Sequence, residues 1–230
     1  IPEQFDIESQ SKIDLLAFGF PCNDFSIVAE KKRLKGKYGP FYSYGVKAID
    51  FHKPRAFVAE NVSGLNSTKD NVFEMILDEL SNAGKGYRLT VHKFQFENYG
   101  VPQKRNRIVI VGIKKGLNKR FEVPAEIPKY VKEPMTCEEA FSDIKPHHAN
   151  QRRTNNSEIV EMRLEYINEG ENIWQAQKIG KIPHKYRLKV KSLHMSNIYR
   201  RIHSQEPSYT VTGSGGGGTH MYHWSENRAL

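Results

Sequence analysis

The sequence predicts an α/β fold in its first half, on three observations. Residues 13–20 (IDLLAFGF) and 56–62 (AFVAENV) are short continuous apolar runs bounded by turn signals, the pattern of strands buried on both faces. Residues 70–83 (DNVFEMILDELSNA) carry an apolar stripe at Val72, Met75, Ile76, Leu80 and Ala83, which predicts a helix with Asp70 as N-cap and Gly84 as its stop. Residues 87–96 and 108–113 (IVIVGI) then read as two further strands. A second helix is expected over residues 41–51, between the first two strands. Strands alternating with helices predict a mainly parallel sheet, with ligands at the carboxyl ends of its strands. After Lys114 the pattern fails. Prolines scatter, charge is mixed, and one good helix is expected near residues 157–168. The chain therefore divides into an α/β region, residues 1–114, and an irregular region, residues 115–230, which includes a Gly-rich segment at 199–224. The glycine run 215–218 sits between β-rich YTVT and aromatic HMYHW, which favours an ordered turn over a linker.

The bulk numbers narrow the partners. The formal charge is +9 and the pI about 9.4 over 230 residues, a balance that favours a polyanion, nucleic acid before anionic membrane. Cys22 and Cys137 are the two cysteines, too few for a disulfide framework or a four-thiolate zinc site, and no metal site is expected. No apolar run has the length of a membrane span, and the first ten residues (IPEQFDIESQ) do not read as a signal peptide. A reducing, cytoplasmic compartment is the expectation. The chain has no initiator Met and both ends read as cut.

Four features carry chemistry. Cys22 follows the first strand and is itself followed by polar residues and by the cations Lys31, Lys32, Arg33, Lys35 and Lys37. A packed small hydrophobe is one reading. A thiolate nucleophile is the other, since nearby cations lower a thiol pKa. Glu60 closes the run AFVA at the end of the next strand. It is either an exposed strand end or a carboxylate aimed into the same crevice, where partial burial would make it a usable acid. Gln103, Arg105 and Arg107 alternate before the IVIVGI strand, and an extended chain would put both guanidiniums on one face. They fit a solvated strand entrance or recognition of a carbonyl, carboxylate or phosphate. Arg200, Arg201, Thr210 and the glycines form the last group, able to approach and position a phosphate.

Taken in order, PCNDFS at 21–26, ENV 38 residues after the cysteine, QKRNR at 103–107 and PSYTVTGSGGG from Pro207 resemble the DNA cytosine C5 methyltransferase family. The resemblance covers most of the chain outside residues 115–198. It implies a partial Rossmann-like, S-adenosylmethionine-dependent methyltransferase sheet, with a smaller, irregular target-recognition domain. It implies methylation of C5 of a cytosine flipped out of a specific double-stranded DNA sequence, within a restriction-modification system. By this resemblance Cys22 attacks C6, Glu60 holds N3 and the exocyclic amine, Arg107 meets O2, and Arg105 supports it. Ser26 and Gln103 would meet DNA, Arg200 and Thr210 would hold the flipped nucleotide's backbone, and Lys185 and Arg187, in the cationic stretch 178–191, would track phosphates.

The family's Gly-rich opening motif and its closing motif are not in this sequence. Pro21 and Phe41 are the expected remnant of the cofactor wall, so the S-adenosyl-L-methionine pocket is expected to be incomplete in this chain. A second polypeptide or further segments would supply the rest. Three origins follow: a fragment, a subunit of a split enzyme, or a remnant that binds DNA without turnover. An inactive or partner-dependent DNA-binding subunit is the alternative reading. Transfer RNA as substrate is disfavoured, because residues 115–198 lack the Cys-Phe-Thr signature of that branch. A cysteine hydrolase would need a histidine base near Cys22, and no motif places one.

Overall fold

The computed structural model describes residues 13–20, 41–62, 72–149, 151, 155–189, 196–211 and 221–230. The chain forms two units, Ile1–Gln95 with Asn106–Ala125, and Phe96–Arg105 with Glu126–Leu230.

In the first unit β1 (Leu15–Gly19), α1 (Tyr42–His52), β2 (Ala56–Val62), α2 (Val72–Asn82) and β3 (Tyr87–Gln95) follow in order. A two-residue strand, β4 (Gln103–Lys104), belongs to the second unit, and β5 (Asn106–Lys114) returns to the first. The sheet order is β1-β2-β5-β3. This is a mixed α/β fold. β1 and β2 are parallel, joined by the α1 crossover, but β5 runs antiparallel to both β2 and β3. The expectation of a mainly parallel sheet is corrected here. A parallel pair needs a crossover, usually a helix, and residues 96–105 between β3 and β5 hold only a 3₁₀ turn and β4.

The core lies where the predicted patterns put it. Phe73, Ile76, Leu80 and Ala83 on and just after α2 are buried against Phe57, Ala59, Ile108 and Ile110 of the sheet. Asp70, the expected cap of α2, lies outside the described residues. Gly84 does end the helix, at φ 59°, and its N–H donates to Asp50 Oδ1 at 2.5 Å. Two glycines admit aromatic rings. A Cβ on Gly112 would lie 2.1 Å from the ring of Phe57, its partner across β2 and β5, and one on Gly45 would lie 2.2 Å from Phe18. The buried Tyr87 hydroxyl donates to the Pro54 carbonyl at 2.7 Å, and burial pushes its pKa up to about 12.

The second unit is irregular, as its composition predicts. It holds α3 (Pro128–Lys132), α4 (Cys137–Phe141), α5 (Glu158–Leu164) and α6 (Ile173–Lys178), then β6 (Arg200–Arg201), β7 (Ser208–Tyr209) and β8 (Met221–Tyr222). Short elements need good ends. Thr136 with Glu139 and Asn172 with Gln175 form capping boxes that satisfy the first amides of α4 and α6. β4 pairs in parallel with β7, and β6 with β8. One core gathers Leu164, Ile167, Ile173, Ile182, Tyr199 and Tyr222, and a smaller one Cys137, Ile202 and Met221. The glycine run 215–218 lies outside the described residues. Among the described residues no helix is long and apolar enough to cross a membrane.

Candidate active site and nucleic-acid contacts

Glu60 and Arg107 meet in the first unit. In the β2–β5 register Glu60 faces Val109 and Val62 faces Arg107, so the four side chains share one face of the sheet. Glu60 and Arg107 are diagonal neighbours on that face, and Arg107 Nε lies 2.7 Å from Glu60 Oε1. The Arg107 side chain is 16% exposed and that of Glu60 42%, so the carboxylate is the part presented to solvent. Arg107 also donates from an Nη to its neighbour's carbonyl, Asn106 O, at 2.8 Å. These two bonds fix the plane of the guanidinium. Gly19 pairs with Glu60 across β1, and a Cβ there would come within 3.4 Å of Glu60 Oε2.

Cys22, with Pro21 and Ser26, lies outside the described residues. The end of the strand before it does not. Phe20 is buried, and its carbonyl accepts from Asn61 Nδ2 at 3.1 Å, while Asn61 Oδ1 accepts from Val62 N–H at 2.8 Å. Asn61 thus ties the carboxyl end of β2 to the chain leaving β1. Sequence reasoning gave Asn61 no role. The signal was present, since a polar residue within an apolar strand must be satisfied if buried.

Gln103 and Arg105 fall in the second unit. Gln103 pairs with Ser208 in the β4–β7 ribbon, and the Arg105 N–H donates to Glu97 Oε2 at 3.3 Å. QKRNR is therefore not one extended strand: the chain changes partners at Arg105. Thr210 Oγ1 donates to the Lys104 carbonyl at 3.1 Å, and Lys104 Nζ lies 2.6 Å from Glu206 Oε2.

Of the two adjacent arginines, Arg201 is the structural one. Its guanidinium donates to the carbonyls of Ile167, Leu164, His223 and Glu226 at 2.8–3.0 Å and to Asn227 Oδ1, which satisfies its five N–H groups. Arg200 is also buried, donating to Ser196 O at 2.8 Å and Gly170 O at 3.4 Å. Lys185 and Arg187 sit at an exposed 3₁₀ turn, with Lys185 Nζ 4.5 Å from the Tyr186 ring centre and Arg187 Nε on Ile182 O at 3.1 Å.

Phe41, the expected cofactor wall, precedes α1 and meets Tyr44 edge-on, with ring centres 5.9 Å apart. Three cavities of 480, 570 and 690 Å³ among the described residues lie elsewhere and are not lined by it.

Comparison with known proteins decides the family. The model for C-5 cytosine-specific DNA methylases matches residues 2–230. The chain belongs to that family. It is 49% identical over 225 residues to the Type II methyltransferase M.BbvI of Brevibacillus brevis, covering 97% of this chain and 59% of that protein. It is 34% identical to M.NgoFVII of Neisseria gonorrhoeae, also a Type II methyltransferase, covering 94% and 57%. The chain thus spans less than two thirds of the length of these relatives. A crystal structure of an Escherichia coli prophage-encoded protein, described as a DNA modification methyltransferase, shares the fold. Its TM-score is 0.60 at 17% identity, with 96% of this chain and 67% of that one covered.

Proposed function

We propose that this methylase-family chain carries the base-engaging chemistry of a DNA cytosine C5 methyltransferase of restriction-modification type. The observation that carries the proposal is the Glu60–Arg107 pair at the carboxyl end of β2. A parallel strand end is where such a sheet meets its ligand. Cys22 follows the anchored Phe20 by two residues in the sequence, and two residues reach about 7 Å at most.

Cytosine C6 is a poor electrophile until N3 is hydrogen-bonded or protonated. The Glu60 carboxyl holds the proton at N3 while the Cys22 thiolate forms a bond to C6. Electron density then moves to C5. S-adenosyl-L-methionine supplies the methyl group when bound. Loss of the C5 proton and elimination of the thiolate restore the aromatic ring and the nucleophile. Arg107 keeps Glu60 in place, and its remaining N–H groups are the donors for the base O2. The target cytosine leaves the helix to reach these groups, at a cost of a few kcal/mol. The region 1–114 does this chemistry, and 115–230 is the target-recognition region, with Ser26, Gln103, Arg200, Thr210, Lys185 and Arg187 toward DNA.

The rest of the cofactor pocket, beyond Pro21 and Phe41, comes from further segments or a second polypeptide. That reading is supported by β1, which pairs on one side only among the described residues. The alternative, a DNA-binding subunit without turnover, predicts a different result in one experiment. Joined by the segments or polypeptide that complete the pocket, and incubated with S-adenosyl-L-methionine and a random-sequence duplex pool containing 5-fluorocytosine, the enzyme forms a stable adduct that maps to Cys22. Cys22→Ser abolishes it. DNA binding with no adduct would overturn the enzyme reading for this chain.

A further inference from the structure

An exposed tyrosine in the second unit is held by two cations. Ser208, before it on β7, is buried, whereas Tyr209 is 42% exposed. The Arg200 guanidinium lies 4.3 Å from its ring centre and the Lys104 ammonium 5.8 Å. Both cations are themselves anchored. Arg200 is buried and bonded to the carbonyls of Ser196 and Gly170. Lys104 is paired with Glu206, and its own carbonyl accepts from Thr210. The β4–β7 register fixes the backbones of Lys104 and Tyr209 directly opposite each other.

We infer that Tyr209 is a stacking platform for a nucleotide of bound DNA, held in place by Arg200 and Lys104. The inference rests on the DNA-methylase reading and adds a residue that reading does not name. Arg200 and Lys104 lie over the ring and hold it, and the part of the ring that stays exposed offers a π surface on which any base can stack. Anchoring limits the conformational freedom lost on binding. The position next to Thr210 places the ring beside a residue already proposed to meet the DNA backbone.

The test compares Tyr209→Phe, Tyr209→Leu and Tyr209→Ala with the unaltered chain. The probe is a random-sequence duplex pool in which 2-aminopurine replaces adenine. Tyr209→Phe keeps the ring and is expected to bind and to quench 2-aminopurine as the unaltered chain does. Tyr209→Ala is expected to bind about tenfold more weakly. Its salt dependence should be unchanged, because no charge is removed. Tyr209→Leu keeps apolar bulk without a π face and should resemble Tyr209→Ala. A purely structural role would instead lower the melting temperatures of Tyr209→Leu and Tyr209→Ala in step with their loss of binding, and that result overturns the inference. So does unchanged binding by Tyr209→Ala, or a Tyr209→Phe as weak as Tyr209→Ala, which would mean the hydroxyl makes the contact. Adduct formation at Cys22 separates the two readings. An unaltered chain that forms the adduct beside an unaffected Tyr209→Ala overturns this inference alone. An unaltered chain that does not bind DNA overturns both.

Discussion

Arg107 joins two tasks in one side chain: it orients the Glu60 carboxylate and is proposed to meet the base. The fork matters as much as the charge. Arg107→Lys keeps the cation but cannot hold Glu60 through Nε while donating to Asn106 O in the same plane. Methyl transfer is expected to fall about 10²–10³-fold, as for loss of one donor at a developing charge. Stability should change by about 1 kcal/mol or less, since Glu60 is well exposed. Single-turnover kinetics together with thermal melting checks both halves. The two cysteines should separate as sharply. Cys137 is 2% exposed, and burial pushes its thiol up to about 11 from 9.0. A raised thiol pKa means stability that is complete below about pH 9 and is lost as pH rises toward 11. Cys137 should stay unlabelled by iodoacetamide at pH 8 in the native chain and react on denaturation, as peptide mapping would show. Rapid native labelling at Cys137 would contradict its burial.

At the scale of elements, the sheet depends on ring-for-glycine exchanges. Gly112→Ala would drive a methyl group into Phe57 from the neighbouring strand, in the centre of the sheet. Overpacking of this kind costs about 1–3 kcal/mol. Denaturant unfolding should show the loss, and a double change with Phe57→Leu should recover part of it. Elements with strong periodicity were legible in the sequence: β2 has the predicted bounds, and of the predicted α2 stripe Ile76, Leu80 and Ala83 are buried and Met75 partly so. The β4–β7 ribbon was not legible, because two-residue strands carry no period and their pairing spans about a hundred positions of sequence. For the same reason Tyr209 was not singled out, and QKRNR read as one extended entrance to the next strand instead of two segments with different partners. Antiparallel β5 was hidden too. Its run IVIVGI looks the same in either direction, and only the lack of a helix between residues 96 and 105 distinguishes the two. Glu60 and Arg107 were both legible as candidates, but their pairing needed the register.

At the scale of the molecule, the sheet of the described residues ends in an edge at β1. Among the described residues β1 pairs only with β2, and Leu15 and Ala17 along it are exposed. An apolar edge strand templates association. The chain is expected to self-associate with rising concentration in sedimentation experiments, and Ala17→Lys should reduce this without lowering the melting temperature. A chain that stays monomeric at all concentrations would count against an open edge. The division into units has a further consequence. Residues 96–105 lie between two strands of the first unit, yet belong to the second. A recombination event that exchanged everything after residue 114 would leave Gln103 and Lys104 behind and give the incoming β7 a foreign partner. Functional transfer of the second unit between relatives therefore requires two exchanged blocks, and the shorter one travels inside the arginine motif itself.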